Sequence, residues 1–318
     1  HEAPSFTVNI PPGRICNPAV HISSIPPTNL CATFNNFPSR LNAMHAAGIA
    51  MQVIGPLPTM GPLMACTRVN NYLYMETRPY LDKFACLALL PATDPENAAH
   101  ELERCVAKYG FVGGVLPVGR FTPRLNDPRW ERLWQVAQKW EAPIALRASW
   151  PTAAEMPEIM GDFPPRVGLP LLENFCREHL SSPIPLLHLY LSRVFDRQPS
   201  LKIIVSQSGL GLPSSIPRIR SVLESLPQNT QPVCNFEVVF RRNIWVTTTG
   251  LFDRTSLMAL MEYVSPDRLL YGENYPWKDS RWNLKESLEG TTFVTEEDKE
   301  KIGSKNAKLL FRLWRQGQ

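Results

Sequence analysis

Eight short apolar runs, separated by amphipathic stretches of helical period, are the feature that most constrains this chain. The runs are Ile15 to Ile22, Met51 to Gly55, Phe84 to Leu90, Phe111 to Leu116, Pro143 to Arg147, Leu201 to Gln207, Asn243 to Thr248 and Arg268 to Asn274. Most are nearly continuous in apolar residues, the pattern of parallel strands buried on both faces. Between them the helical stretches open on strong start signals. Asp94-Pro95-Glu96 and Asp127-Pro128 each place an Asp cap before a Pro at the first helical position, and Thr295 precedes Glu296 and Glu297. Pro38 to Ala47, Leu186 to Phe195 and Thr255 to Tyr263 are further helix candidates. Unbroken strand–helix alternation predicts an α/β fold with a parallel sheet, and eight repeats predict closure into a (βα)8 TIM barrel.

The chain is 318 residues long with 44% apolar residues, which suits one barrel domain spanning 1–318. One connection is out of scale. Residues 149–199 separate the fifth and sixth runs, and the part from Trp150 to Leu171 is rich in Pro, Gly, Met and Phe. A long loop at that edge of a barrel is expected to act as a lid.

The formal charge of +4 is carried by scattered basic residues, so neither a nucleic-acid footprint nor a polybasic membrane patch is expected. No apolar stretch approaches the ~20 residues of a membrane span, and no signal peptide is visible. The chain begins at His1, not Met, which leaves room for absent or tag-derived residues. Seven scattered Cys without a C-x-x-C predict reduced thiols and a cytoplasmic location. The expected partner is a small, largely apolar substrate, with a homodimer left open.

Several segments carry a family likeness. They include Met44-His-Ala-Ala-Gly-Ile49, Leu125-Asn-Asp-Pro-Arg-Trp130, Val194-Phe-Asp-Arg197 before Leu201-Lys-Ile-Ile204, Gly209-Leu-Gly-Leu-Pro213, Asp267-Arg-Leu-Leu270 with Tyr275-Pro276, and Lys305-Asn-Ala-Lys308. In this order the chain resembles the amidohydrolase-related decarboxylases, which include the aminocarboxymuconate-semialdehyde, dihydroxybenzoate and resorcylate decarboxylases. That resemblance implies a divalent metal held at the strand ends by Glu-x-His, His, His and Asp. At those positions this chain has Ala19-Val20-His21, Arg147, Gln207 and Asn274.

One His and an Asn supply neither the charge nor the number of ligands that a zinc-like ion needs, and Arg147 brings a cation of its own. Gln207 and Asn274 do not titrate near neutral pH but do hydrogen-bond. No metal and no cofactor are therefore expected, and His21, Arg147, Gln207 and Asn274 are the expected catalytic set. Trp150, Thr248, Tyr275 and Trp277 are the expected substrate-binding residues. The preferred function is a metal-independent enzyme of secondary metabolism, assisting a cyclisation or pericyclic step by confinement and hydrogen-bond polarisation. The alternative is a decarboxylase of an aromatic or unsaturated acid, with Arg147 on the carboxylate and His21 as proton donor. A catalytically inactive ligand-binding barrel is the third reading.

Overall fold

The computed structural model describes residues 36–119, 122–149, 151, 155–164, 166–168, 171, 182–206, 212–249, 253–272, 288 and 290–313. Among the described residues there are seven strands: β1 (Gln52–Ile54), β2 (Phe84–Leu89), β3 (Gly113–Val118), β4 (Ile144–Ala148), β5 (Ile203–Val205), β6 (Ile244–Thr247) and β7 (Leu269–Leu270). They form one parallel sheet in sequential order. Each corresponds to one of the expected apolar runs. The eighth expected strand, at 15–22, lies outside the described residues. The described strands therefore form an open seven-stranded sheet, where the sequence pattern had predicted a closed barrel of eight.

The connecting helices include α1 (Phe37–Ala46), α2 (Leu63–Thr77), α3 (Pro95–Tyr109), α4 (Glu131–Lys139), α5 (Met156–Met160), α6 (Ile184–Leu191), α7 (Leu212–Ser225), α8 (Phe236–Asn243), α9 (Arg254–Met261) and α10 (Asn306–Phe311). Local chemistry explains their ends. Asp94 caps α3 by accepting the Asn97 N–H at 3.2 Å, Pro95 is its first residue, and Gly110 ends it at a left-handed φ of 69°. That ending delays β3 to Gly113, two residues beyond the start of its apolar run. The stretch expected as one helix from Leu186 to Phe195 is broken at Arg193, whose φ of 61° is left-handed. Helices α2, α5, α7 and α8 are not among those the sequence pattern predicts. The Asn235 cap of α8, whose side chain accepts the Glu237 N–H at 2.8 Å, was the missed signal.

The two faces of the sheet carry separate apolar clusters. Ile54, Phe84, Cys86, Leu116, Ile144, Ile203, Val246 and Leu269 pack outward against the helices, where Trp130 and Trp134 are fully enclosed. The alternate residues Val53, Ala85, Leu87, Val115, Ala145, Ile204, Trp245 and Leu270 make the second cluster with Leu310 and Phe311 of α10. Every strand contributes to that inner cluster, so the sheet must curl around it. Phe311 lies beside Phe111, Val112 and Ala142, which places α10 at the starts of the strands. The opposite edge, where all strands end, is left for a site. Among the described residues no helix is long and apolar enough to cross a membrane.

Candidate functional site

The site is built from strand alternation. On β4, Ala145 joins the inner cluster, so Arg147, two residues on, faces the same way at the C-terminal edge. Arg147 is 2% exposed, and its Nη1 atom lies 3.5 Å from where a Cβ would stand on Gly55, just past β1. Val115 and Leu87 adjoin the same point. Arg147 pairs in register with Pro117 on β3.

On the other side of Arg147 the register pairs Leu146 with Val205 and Val205 with Val246. One residue further on stand Arg147, Ser206 and Thr247, side by side on three adjacent strands. Ser206 is 1% exposed and Thr247 2%. The row beneath is Val115, Ala145, Ile204 and Trp245, whose one polar side-chain atom is the buried indole Nε1. The inner face thus changes from mainly apolar side chains to a cation and two hydroxyls within one pleat.

Thr248 is held by backbone contacts. Its hydroxyl accepts the Gly272 N–H at 3.1 Å, and its own N–H donates to the Leu270 carbonyl at 2.9 Å. The neighbouring Thr247 and Thr249 share the side of the sheet that Leu270 and Gly272 face. A Cβ on Gly272 would fall 2.3 Å from Thr249 Oγ1, so this close approach needs glycine there. Of the expected site residues, only Arg147 and Thr248 fall within the described structure. His21, Trp150, Gln207, Asn274, Tyr275 and Trp277 lie outside it. Ser206, Thr247 and Thr249 were not singled out for this site from the sequence, although counting by twos from Trp245 and Ile204 reaches all but the register that aligns them.

The insertion touches this edge. Leu57, in the segment after β1, and Met156 of α5 are both buried in one small apolar cluster, with Ile159 and Met160 packed against it.

Among the described residues no three His, Cys, Asp or Glu side chains converge as a metal site requires. The described donors of this edge are a guanidinium and neutral hydroxyls. They do not by themselves fit manganese or another divalent ion; what they offer is positive charge and hydrogen bonds to an anion.

Residues 38–313 match the Amidohydrolase family. The chain belongs to that family. It is 31% identical over 280 residues to Decarboxylase orsB of Emericella nidulans, covering 86% of this chain and 85% of that protein. It is 30% identical over 297 residues to gamma-resorcylate decarboxylase of a Rhizobium species, covering 86% of each. The crystal structure of a dihydroxybenzoic acid decarboxylase from a Polaromonas species, with bound manganese and the inhibitor 2-nitroresorcinol, superposes with a TM-score of 0.74 at 25% identity. That match covers 93% of this chain and 91% of the other. The kinship with dihydroxybenzoate and resorcylate decarboxylases that the sequence motifs carry is therefore established.

These likenesses overturn the preferred sequence reading. The three relatives named above are decarboxylases, and the Polaromonas enzyme holds manganese. A metal-independent cyclisation or pericyclic catalyst is not what this kinship supports. The expectation took the altered strand-end identities as a sign of a different reaction, and the similarity to decarboxylases along most of the chain overturns it.

Proposed function

We propose that the protein is a lyase that decarboxylates a small aromatic carboxylic acid. The observation that carries the reading is the 30–31% identity to decarboxylases along 86% of the chain. Arg147 supports it. A guanidinium on the inner face at the strand ends is a fixed, bidentate donor suited to a carboxylate. In the full fold the sheet closes as a (βα)8 barrel with the 149–199 insertion over its mouth. The substrate then lies against Arg147, with its ring over the apolar row below.

In this reading Arg147 binds and orients the acid. The ring-to-carboxylate bond breaks, carbon dioxide leaves, and the electron pair stays on the ring carbon. His21 delivers the proton that this carbon takes up. Gln207, Asn274 and Thr248 contribute neutral hydrogen bonds or backbone support, and Trp150, Tyr275 and Trp277 wall the ring. Arginine stabilises the bound acid more than the departing carbon dioxide, so its contribution falls on binding and orientation.

The test is incubation of the purified protein with 2,6-dihydroxybenzoate and related hydroxybenzoates, with and without added manganese. Equimolar release of carbon dioxide and the matching phenol is the expected result. Arg147→Ala should lower kcat/KM by about 10²-fold or more, since it removes the fixed charge. A folded protein that turns over none of these acids under either condition overturns the reading.

A further inference from the structure

We propose that a cavity at the floor of the sheet, opposite the strand ends, is a second binding site and takes a neutral phenol. The cavity has a volume of about 370 Å³. It lies where β3 and β4 begin, between Phe111 and Ala142, with Phe311 of α10 as its third side. An apolar cavity of roughly 150 Å³ takes up benzene, so this one has room for a substituted ring. Leu81, Val106, Tyr109 and Trp140 add to its walls. Leu81 and Trp140 are 47% and 37% exposed, so the cavity opens to solvent. The site stands apart from the decarboxylase reading, since it uses none of the residues at the strand ends.

Backbone geometry marks the same place. Among the described residues three non-glycine residues have a left-handed φ. Two of them, Glu141 at 50° and Arg312 at 53°, line this cavity and form an ion pair. Both stand just past helix ends, of α4 and α10, where glycine is the usual residue. Gly110 takes that role at the end of α3, on the same cavity. A glutamate and an arginine kept in a costly conformation at a cavity wall are the kind of outlier that gathers at ligand sites. The surroundings set what the cavity accepts. The last carbonyls of a helix have no partner within it and carry the negative end of its dipole. Three such ends and the Glu141 carboxylate border one apolar space. They favour a guest that donates hydrogen bonds and carries no negative charge. Arg312 is engaged by Glu141, so its guanidinium does not reverse that preference. A carboxylate has lone pairs for a second donor beside the arginine. A phenol meets these conditions, its ring against Trp140 and Phe311 and its hydroxyl donating to Glu141.

The experiment labels the protein with 5-fluorotryptophan and follows the fluorine resonance of Trp140, assigned with Trp140→Phe. Resorcinol and benzoate are titrated separately. The Trp140 signal should move saturably with resorcinol and stay still with benzoate at equal concentration. Val106→Phe, which fills the cavity, should abolish the movement. Glu141→Gln should weaken resorcinol binding about tenfold, the loss of a hydrogen bond to a charged acceptor. Thermal melting reports folding. Should Val106→Phe fail to fold, Leu81→Phe, at an exposed wall, makes the same comparison. An unmoved Trp140 signal at millimolar resorcinol overturns the proposal. So does a response to benzoate equal to that to resorcinol, or resorcinol binding that survives filling of the cavity. A Glu141→Gln protein that melts earlier but binds resorcinol like wild type would make the ion pair a structural tie alone and overturn the role given to Glu141. The titration measures no turnover, so failure of the decarboxylase reading leaves its outcome untouched.

Discussion

Arg147 reaches across the inner face to Gly55, its Nη1 atom 3.5 Å from the point where a side chain would begin. The two strands involved, β4 and β1, are three places apart in the sheet. On a flat sheet that separation would be about 14 Å. The contact therefore records how tightly the sheet curls. It also shows that the guanidinium occupies space made by a missing side chain. Gly55→Ala should be tolerated, because a methyl group there makes an ordinary contact. Gly55→Leu should displace the guanidinium and lower kcat/KM toward the Arg147→Ala value, with the fold retained by circular dichroism. Full activity in Gly55→Leu would show that Arg147 is not needed in this position.

The packing of Met156 on Leu57 joins the insertion to the segment after β1. Binding of an acid at the strand ends should tighten that joint. Hydrogen exchange of peptides covering Met156–Met160 should slow on saturation with 2-nitroresorcinol. Unchanged exchange, with saturation shown independently, would count against a lid.

Glu101 is the hub of a buried polar network on the outer side of the sheet. Its carboxylate accepts hydrogen bonds from Asn70 at 2.7 Å, from Arg104 at 2.6 and 2.8 Å and from Thr67 at 3.2 Å. Asn70 in turn bonds both backbone groups of Leu89, at 2.8 and 3.0 Å, at the end of β2. Removing the carboxylate takes the ion-pair partner from a partly buried guanidinium and one acceptor from the Asn70 amide. Glu101→Ala should cost about 3 kcal/mol in chemical denaturation. A loss within experimental error would mean that the network is replaceable by water.

Burial pushes the thiols of Cys66 and Cys86 up to about 12, and that of Cys105 upward as well. Only the thiolate attacks an alkylating reagent, so a raised value means protection at every pH where the fold survives. Iodoacetamide at pH 8 should leave the peptides carrying these three cysteines unmodified in the native protein, while half-buried Cys234 reacts. Rapid modification of Cys86 in the native state would show local opening around β2.

What the sequence alone determined is what depends on local period and composition. The apolar runs located all seven described strands, the Asp-Pro pairs located the starts of α3 and of the turn before α4, and the linear motifs carried the family. Arg147 was legible as a strand-end residue because a strand end is a local property. The reaction was misread, because identities at single strand ends say which side chains are present and not which substrate they meet.

Only the tertiary structure decided which residues face one another. Alternation divides each strand into two sides without saying which side is inside. The choice came from packing, where Trp245, Ile204 and Ala145 share one cluster while Val246, Ile203 and Ile144 join the helices. The alignment of Ser206 and Thr247 with Arg147 depends on inter-strand register, set by hydrogen bonds between segments about forty to sixty residues apart. The nearness of Arg147 to Gly55 depends on sheet curvature. Neither quantity is written in any local stretch of residues, since both arise only when all the strands pack together.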